Sequence, residues 1–189
     1  DWNLLETPLH DSLRRWVEDL NKVYRDVPAL HELDFEGGGF EWIDCQDVDA
    51  GVISLLRHGR TPQQHIAVVC NFTPVPRLQY RVGVPQGGYW KELLNSDASI
   101  YGGTGLGNLG GLSAEPIPAH DRTHSLAMTL PPLVLHQEFD DHPCDGSLAD
   151  SAFLIQDRNR SQSVNLALVL LSGPGLAVSS ARRRARRGG

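Results

Sequence analysis

The stretch His65-Ile66-Ala67-Val68-Val69-Cys70-Asn71-Phe72-Thr73-Pro74-Val75-Pro76-Arg77-Leu78-Gln79-Tyr80-Arg81-Val82-Gly83-Val84 decides the fold class. Its first half is a short, almost unbroken apolar run, the pattern of a strand buried on both faces. Its second half alternates. Leu78, Tyr80, Val82 and Val84 share one face, with Gln79, Arg81 and Gly83 opposite, which is the period of two of a half-buried strand. Pro74-Val75-Pro76 between them rules out a continuous helix and marks a turn.

The same period extends outward from Phe40 to Leu130. Phe40, Trp42 and Asp44 alternate with Glu41, Ile43 and Cys45; Leu126, Met128 and Leu130 alternate with Ser125, Ala127 and Thr129. Val52 to Arg57 and Tyr89 to Leu94 are further short candidates. Gly37-Gly38-Gly39, His58-Gly59-Arg60 and Pro85-Gln86-Gly87-Gly88 punctuate them. Several short strands at this spacing, without an internal repeat, predict a mainly β chain with an antiparallel sandwich or barrel. Tyr101 to Gly111 reads as a glycine-rich loop.

Ahead of the strands lies one helix. Leu13, Trp16, Val17, Leu20, Val23, Tyr24 and Val27 follow helical spacing, with Asp11 or Ser12 as the cap and Pro28 as the stop. The stripe needs a surface to cover, and one helix before a β-domain is a poor match for a self-sufficient fold. Behind the strands the character changes again. Residues 136–163 are polar and unpatterned, 164–178 are apolar, and the chain ends in a cluster of arginines.

The chain has 189 residues and a net charge of −6, from 17 basic and 23 acidic side chains. Five of the basic residues, Arg182, Arg183, Arg184, Arg186 and Arg187, crowd the end, which leaves 12 basic against 23 acidic, or −11, before them. An acidic body repels nucleic acid and anionic membrane, so neither is expected as a partner. Cys45, Cys70 and Cys144 form no C-x-x-C pair, which leaves a zinc ribbon and a thioredoxin-like site unsupported. Free buried thiols suit a reducing compartment, hence a cytoplasmic location. Val164 to Val178 is too short and too broken to span a bilayer, which takes about 20 apolar residues. No signal peptide opens the chain, and its start at Asp1 rather than methionine reads as a piece of something longer.

Few residues suggest chemistry. Gly105-Leu-Gly-Asn-Leu-Gly110 fits G-x-G-x-x-G, but a dinucleotide fingerprint must open a helix, and Pro116 and Pro118 follow here. His120 and His124 share a loop with Asp121 and Arg122 rather than a helix face, so no metal site is expected. Asp44, Asp47 and Asp49 cluster near Gly51, with Asp47 to Asp49 read as a solvated hairpin turn, and Asp97 and Glu115 flank the glycine loop. No serine stands in a nucleophile elbow, and nothing calls for a cofactor. Trp42, Tyr80, Tyr89, Trp90 and Tyr101 are the aromatic faces on which a sugar ring could stack, with Trp90 and Tyr101 the candidates for glucan contact.

Longer strings are more specific. Asp1-Trp-Asn-Leu-Leu-Glu6, Val17-Glu-Asp-Leu-Asn-Lys-Val-Tyr-Arg25, Pro28-Ala-Leu-His-Glu-Leu-Asp-Phe-Glu36 and Gly39-Phe-Glu-Trp-Ile-Asp44 come first. Cys70-Asn-Phe-Thr-Pro-Val-Pro-Arg77, Gly88-Tyr-Trp-Lys-Glu-Leu-Leu-Asn-Ser-Asp97 and His124-Ser-Leu-Ala-Met-Thr-Leu-Pro-Pro132 continue in order. Together they closely resemble the C-terminal part of bacterial 1,4-alpha-glucan (glycogen) branching enzymes, an alpha-amylase-type family.

That resemblance covers roughly residues 1–133. It implies residues 1–30 as the last helical part of a catalytic (β/α)8 barrel and 31–135 as an all-β sandwich domain of the alpha-amylase C-terminal type. Residues 136–189 are left as an atypical, disordered tail. A complete barrel needs about 250 residues, which this chain cannot hold. The family reaction cuts an α-1,4 bond and rejoins the chain through α-1,6. Its nucleophilic Asp, acid/base Glu and stabilising Asp lie in the barrel, so no catalytic residue is assigned to this sequence. The expected partners are α-glucan (glycogen, amylose) and the missing barrel, the expected role structural or weakly glucan-binding. A stand-alone carbohydrate-binding β-sandwich is the alternative.

Overall fold

A computed structural model describes residues 2–137, 162–165 and 167–174. After a short 3-10 turn at Trp2–Glu6, helix α1 spans Pro8–Asp26. It begins earlier than the Asp11 or Ser12 cap predicts. Thr7 is the extended residue before it and Pro8 takes the first helical position, where the missing N–H costs nothing. Asp11 lies instead in the first turn, paired with Arg14 and Arg15. At the other end the Val27 N–H donates to Val23 O and Pro28 stops the helix, as the sequence predicts.

The strands are β1 (Phe40–Asp47), β2 (Val52–His58), β3 (His65–Asn71), β4 (Arg77–Val84), β5 (Gly88–Asn95), β6 (Gly111–Ala114), β7 (His124–Leu130), β8 (Val134–Gln137), β9 (Gln162–Asn165) and β10 (Ala167–Ser172). Six form one antiparallel sheet in the order β1-β2-β3-β10-β5-β6. A two-stranded sheet, β4-β7, packs over one of its faces, and α1 lies against the other. A β8-β9 pair completes the described strands.

The middle sheet is therefore apolar on both sides. Toward β4-β7, the side chains of Leu56, Ala67, Val69, Trp90, Val169 and Leu171 meet Val82, Val84, Leu126, Met128 and Leu130. Toward the helix, Ile66, Leu94 and Leu170 meet Val27, Ala29 and Tyr101, with Trp16, Leu20 and Val23 beside them. Successive residues of β3 and β10 thus enter different cores, which is why both runs are continuously apolar.

Two expectations need correction. Leu78 does not share the buried face of Val82 and Val84; it is exposed. Gln79 adopts φ 55° and the β4–β7 register shifts between Arg77 and Tyr80. That irregularity turns the first residues of β4 away from the core. Nor are residues 136–189 wholly a tail outside the fold. Residues 167–172 form a central strand, because Leu168 to Leu171 offers apolar side chains to both cores. His142, Cys144 and the terminal arginines lie outside the described residues.

Leu126 is fully buried between the two sheets. Leu126→Ala is expected to lower stability by about 3 kcal/mol through lost transfer energy and the cavity left behind, read as a lower urea midpoint at unchanged slope.

Candidate functional site

The two sugar-stacking candidates are not surface platforms. Trp90 is 0% exposed and lies within the sandwich core, its indole N–H donating to Gln86 O at 3.2 Å. Tyr101 is 7% exposed. Its ring meets Trp16 of α1 edge-on at 5.1 Å, and its hydroxyl donates to Asp19 at 2.7 Å. Burial, then the Asp19 carboxylate, pushes that hydroxyl above the ordinary tyrosine range. Both rings are held by packing and cannot present a face to a sugar. Tyr89, 54% exposed, and Trp42, 50% exposed, are the aromatic candidates left at the surface.

Beside Tyr101 opens a cleft of about 280 Å³ between α1 and β5. Asp19, Lys22, Asp26, Lys91 and Glu92 line it over a floor of Val23 and Leu94. Its charges are mixed, and two of its acids are already engaged. Asp19 accepts from Tyr101, and Glu92 accepts from the backbone and side-chain amides of Asn108.

Glu92 belongs to a set of polar groups that shape the glycine-rich loop. Asp97 is buried and accepts from Thr104 N at 3.0 Å, Thr104 Oγ1 at 2.5 Å and Leu106 N at 3.0 Å. Asn95 donates to Leu106 O, and Asn108 reaches across to the Thr129 backbone. Asp97 and Glu92, both ahead of the loop, thus take the backbone N–H groups of Thr104, Leu106 and Asn108, and strand β6 rather than a helix follows the loop. It lacks the helix N-terminus of a dinucleotide site.

The other carboxylates are committed in the same way. Asp47 accepts from the Tyr80 hydroxyl at 2.7 Å and from Ala50 N at 3.0 Å, bonds that hold it below the usual carboxylate range. It is the last residue of β1, paired with Val52, so the turn that the sequence predicts begins one residue later. Asp34 accepts from Tyr24 and is paired with Arg57. His120 lies 3.5 Å from Asp44 and accepts from Gly83 N at 3.1 Å. Acid/base work on sugars needs two carboxyl groups facing across an open cleft; the ones named here tie one element to another. Among the described residues, no group of three or more His, Cys, Asp or Glu is placed to hold a metal ion.

One cluster escapes the sequence reading. His58 and His65 pair across β2 and β3, with the two Nδ1 atoms 2.9 Å apart. His58 Nε2 lies 3.0 Å from Glu41 Oε2, and Arg122 donates to Glu41 Oε1 at 2.5 Å. Burial opposes the Glu41 charge, but Arg122 and then His58 outweigh it and hold the carboxyl below its ordinary value. Burial and the neighbouring His58 lower His65. No sequence motif joins these four; only the strand register could have shown them. Of the two described cysteines, Cys45 is exposed, while burial pushes the Cys70 thiol up to about 11.

Comparison with known proteins accounts for this architecture. Residues 42–135 match the family model described as "Alpha amylase, C-terminal all-beta domain". The matched segment is that domain. A 1,4-alpha-glucan branching enzyme of Aquifex aeolicus is 58% identical over 133 residues, 70% of this chain and 21% of that protein. The Aromatoleum aromaticum enzyme of the same name is 53% identical over 135 residues, 71% of the chain and 21% of that protein. A third, from Burkholderia thailandensis, is 53% identical over 133 residues, with 16% of its own length covered. The chain thus spans about a fifth of the length of the relatives it matches, and those relatives carry the name 1,4-alpha-glucan branching enzyme. No described helix is long and apolar enough to cross a membrane.

Two outcomes follow for the domain. A Cβ at Gly103 would lie 2.3 Å from Asp97 O and 2.5 Å from Asp97 Cα. Gly103→Ala is therefore expected to cost about 1–3 kcal/mol, seen as a lower thermal midpoint. His65, lowered from 6.5 in the folded chain, favours folding when neutral; its contribution is present above 6.5 and is lost as pH falls below it. Between pH 7.5 and 5.5 the urea midpoint should fall, and should fall less in His65→Gln.

Proposed function

We propose that this chain is the C-terminal part of a glycogen branching enzyme, catalytically silent alone, whose work is to brace the catalytic barrel. In this reading residues 1–30 belong to the last helical part of the barrel and 31–135 to the β-domain. The whole enzyme would cut α-1,4 glucan and rejoin the freed chain through an α-1,6 bond, in the cytoplasm, as part of glycogen synthesis. Its reacting carboxylates would lie in the barrel, a reading supported by the structural commitments of Asp47, Asp97 and Glu41.

The observation that carries the reading is how α1 is covered. Its apolar arc is wider than the contact it makes. Trp16, Leu20 and Val23 pack toward Tyr101 and Leu94, whereas Leu13, Val17 and Tyr24 remain exposed on the adjoining edge. An amphipathic helix whose arc is half covered needs a second surface. In the proposed enzyme the barrel supplies it, and α1 is the seam between the two bodies.

Incubated with amylose, the purified chain should produce no new α-1,6 branches on debranching analysis; new branches would overturn the silent role. Mixed with the Aquifex aeolicus enzyme truncated before its matched segment, the chain should bind. Leu13→Glu together with Val17→Glu should weaken that binding at least about tenfold, since a buried charge without a partner is costly. The chain's own melting temperature should stay unchanged, because both residues are exposed in it.

The stand-alone carbohydrate-binding reading keeps one supporting feature, the exposed Tyr89 beside the glycine-rich loop. Glycogen should retard the chain on a native gel if that reading holds, and Tyr89→Ala should abolish the retardation.

A further inference from the structure

The six-stranded sheet is assembled in an unusual order. Strands β1, β2, β3, β5 and β6 come from residues 40–114, yet β3 and β5 do not touch each other. The last strand, β10, stands between them, antiparallel to both. Without it, β3 and β5 would each present an unpaired edge in the middle of the sheet, with an apolar floor above and below.

The slot and its occupant differ in their likeness to known proteins. The family match ends at residue 135, and the similarity to branching enzymes runs for 133 residues. Both walls of the slot, β3 and β5, lie inside the matched region, and β10 lies beyond it. We propose that the slot between β3 and β5 is a strand-binding site, and that residues 167–174 are its ligand, able to enter from another molecule as well as from their own chain.

The slot specifies its occupant in detail. The main chain of β10 pairs residue by residue, Leu168 with Cys70, Val169 with Val69 and Leu170 with Val68 on one side, and Leu170 with Leu94 on the other. Side chains at 169 and 171 enter the sandwich core, and those at 168 and 170 the helix-facing core. Only an apolar residue fits each of four successive positions. Polar clamps stand at both ends. Leu168 N donates to Ser96 Oγ at 2.9 Å and Ser96 N donates to Leu168 O at 3.0 Å. At the far end Gly173 N donates to His65 O at 3.1 Å, and Gln86 Nε2 donates to Pro174 O at 3.3 Å. A Cβ at Gly173 would lie 3.2 Å from Trp90 Cη2, a tight approach that favours glycine just after the strand.

The chain holds one nearer competitor, Leu133-Val134-Leu135-His136-Gln137-Glu138, which follows β7 directly. It runs out of apolar residues after the third, and would place a polar side chain in each core. The run Ala167-Leu168-Val169-Leu170-Leu171-Ser172 meets the requirement throughout. This is strand addition, in which main-chain bonds supply affinity and the alternating side chains supply specificity.

The test cuts the connection and leaves every described strand uncut. A recognition site for a sequence-specific protease is inserted between Ala149 and Asp150 of the full chain, and cleavage is scored on a denaturing gel. The C-terminal piece is expected to co-elute with the body on native gel filtration and to separate only in denaturant. A labelled synthetic peptide of residues 167–174 should then exchange into the cut chain, and the same peptide with Val169→Asp and Leu171→Asp should bind at least about 100-fold more weakly. Release of the piece in native buffer would overturn the proposal, whether or not the body stays folded. So would equal binding of the two peptides. In the uncut full chain, Leu170→Asp should speed amide hydrogen exchange across β3 and β5 at least about tenfold over exchange in β7; unchanged protection would also count against the slot.

Discussion

Burial of β3 on both of its faces is the constraint to which the other elements answer. A strand with Ile66 and Val68 on one side and Ala67 and Val69 on the other cannot face water anywhere along its length. One face requires the β4-β7 sheet, the other requires α1, and each edge requires a strand of similar character. Strand β2 meets one edge and β10 the other. From this single requirement follow three layers, two separate cores and the need for an apolar strand late in the chain. Each core is small, so the loss of any one covering element exposes the same middle sheet.

Polar residues in this domain act as ties between those layers. Tyr101 to Asp19 joins the loop after β5 to α1; Tyr80 to Asp47 joins the two sheets; Arg122 to Glu41 joins the β6–β7 connection to the edge strand β1. Asn71 donates to Val75 O and Pro131 O, both at 2.9 Å, and so fixes the exits of β3 and β7 together. Such bonds contribute modestly when made and cost more when half of a buried pair is removed. A carboxylate that accepts two or three such donors has little capacity left to take up or deliver a proton to a substrate.

Strand positions were legible in the sequence because period-two alternation is a local signal. The run 65–72 and the pattern 124–130 emerge as β3 and β7 with almost the expected ends. The helix was legible for the same reason, apart from its first turn. What could not be read were non-local facts. Trp90 and Tyr101 have the chemistry of sugar platforms, and nothing in their neighbours states that one ring is sealed between sheets and the other under a helix. The His58–His65–Glu41–Arg122 cluster depends on strand register and on a connection arriving from far along the chain. The bulge at Gln79 depends on a positive φ that glutamine does not advertise. Most telling is β10. Its sequence is simply apolar, and the break in family resemblance before it assigns it to the tail. Only the pairing partners on both sides show that it fills a place the matched region leaves open.

That place bears on how the domain and α1 hold together. Leu170 of β10 lies in the same core as Ile66, Leu94, Tyr101 and Val27. The strand that fills the slot therefore also builds the floor on which α1 rests. Remove it, and Trp16, Leu20 and Val23 lose part of the surface that covers them, while Leu13 and Val17 on the adjoining edge are already uncovered. The helix would then present more of its apolar arc to solvent, a state that favours association with whatever apolar surface is near. Seating of the helix and occupancy of the slot are consequently one thermodynamic unit. Any partner that covers the free edge of α1 should also tighten the hold on β10, since both act on the same core from opposite sides.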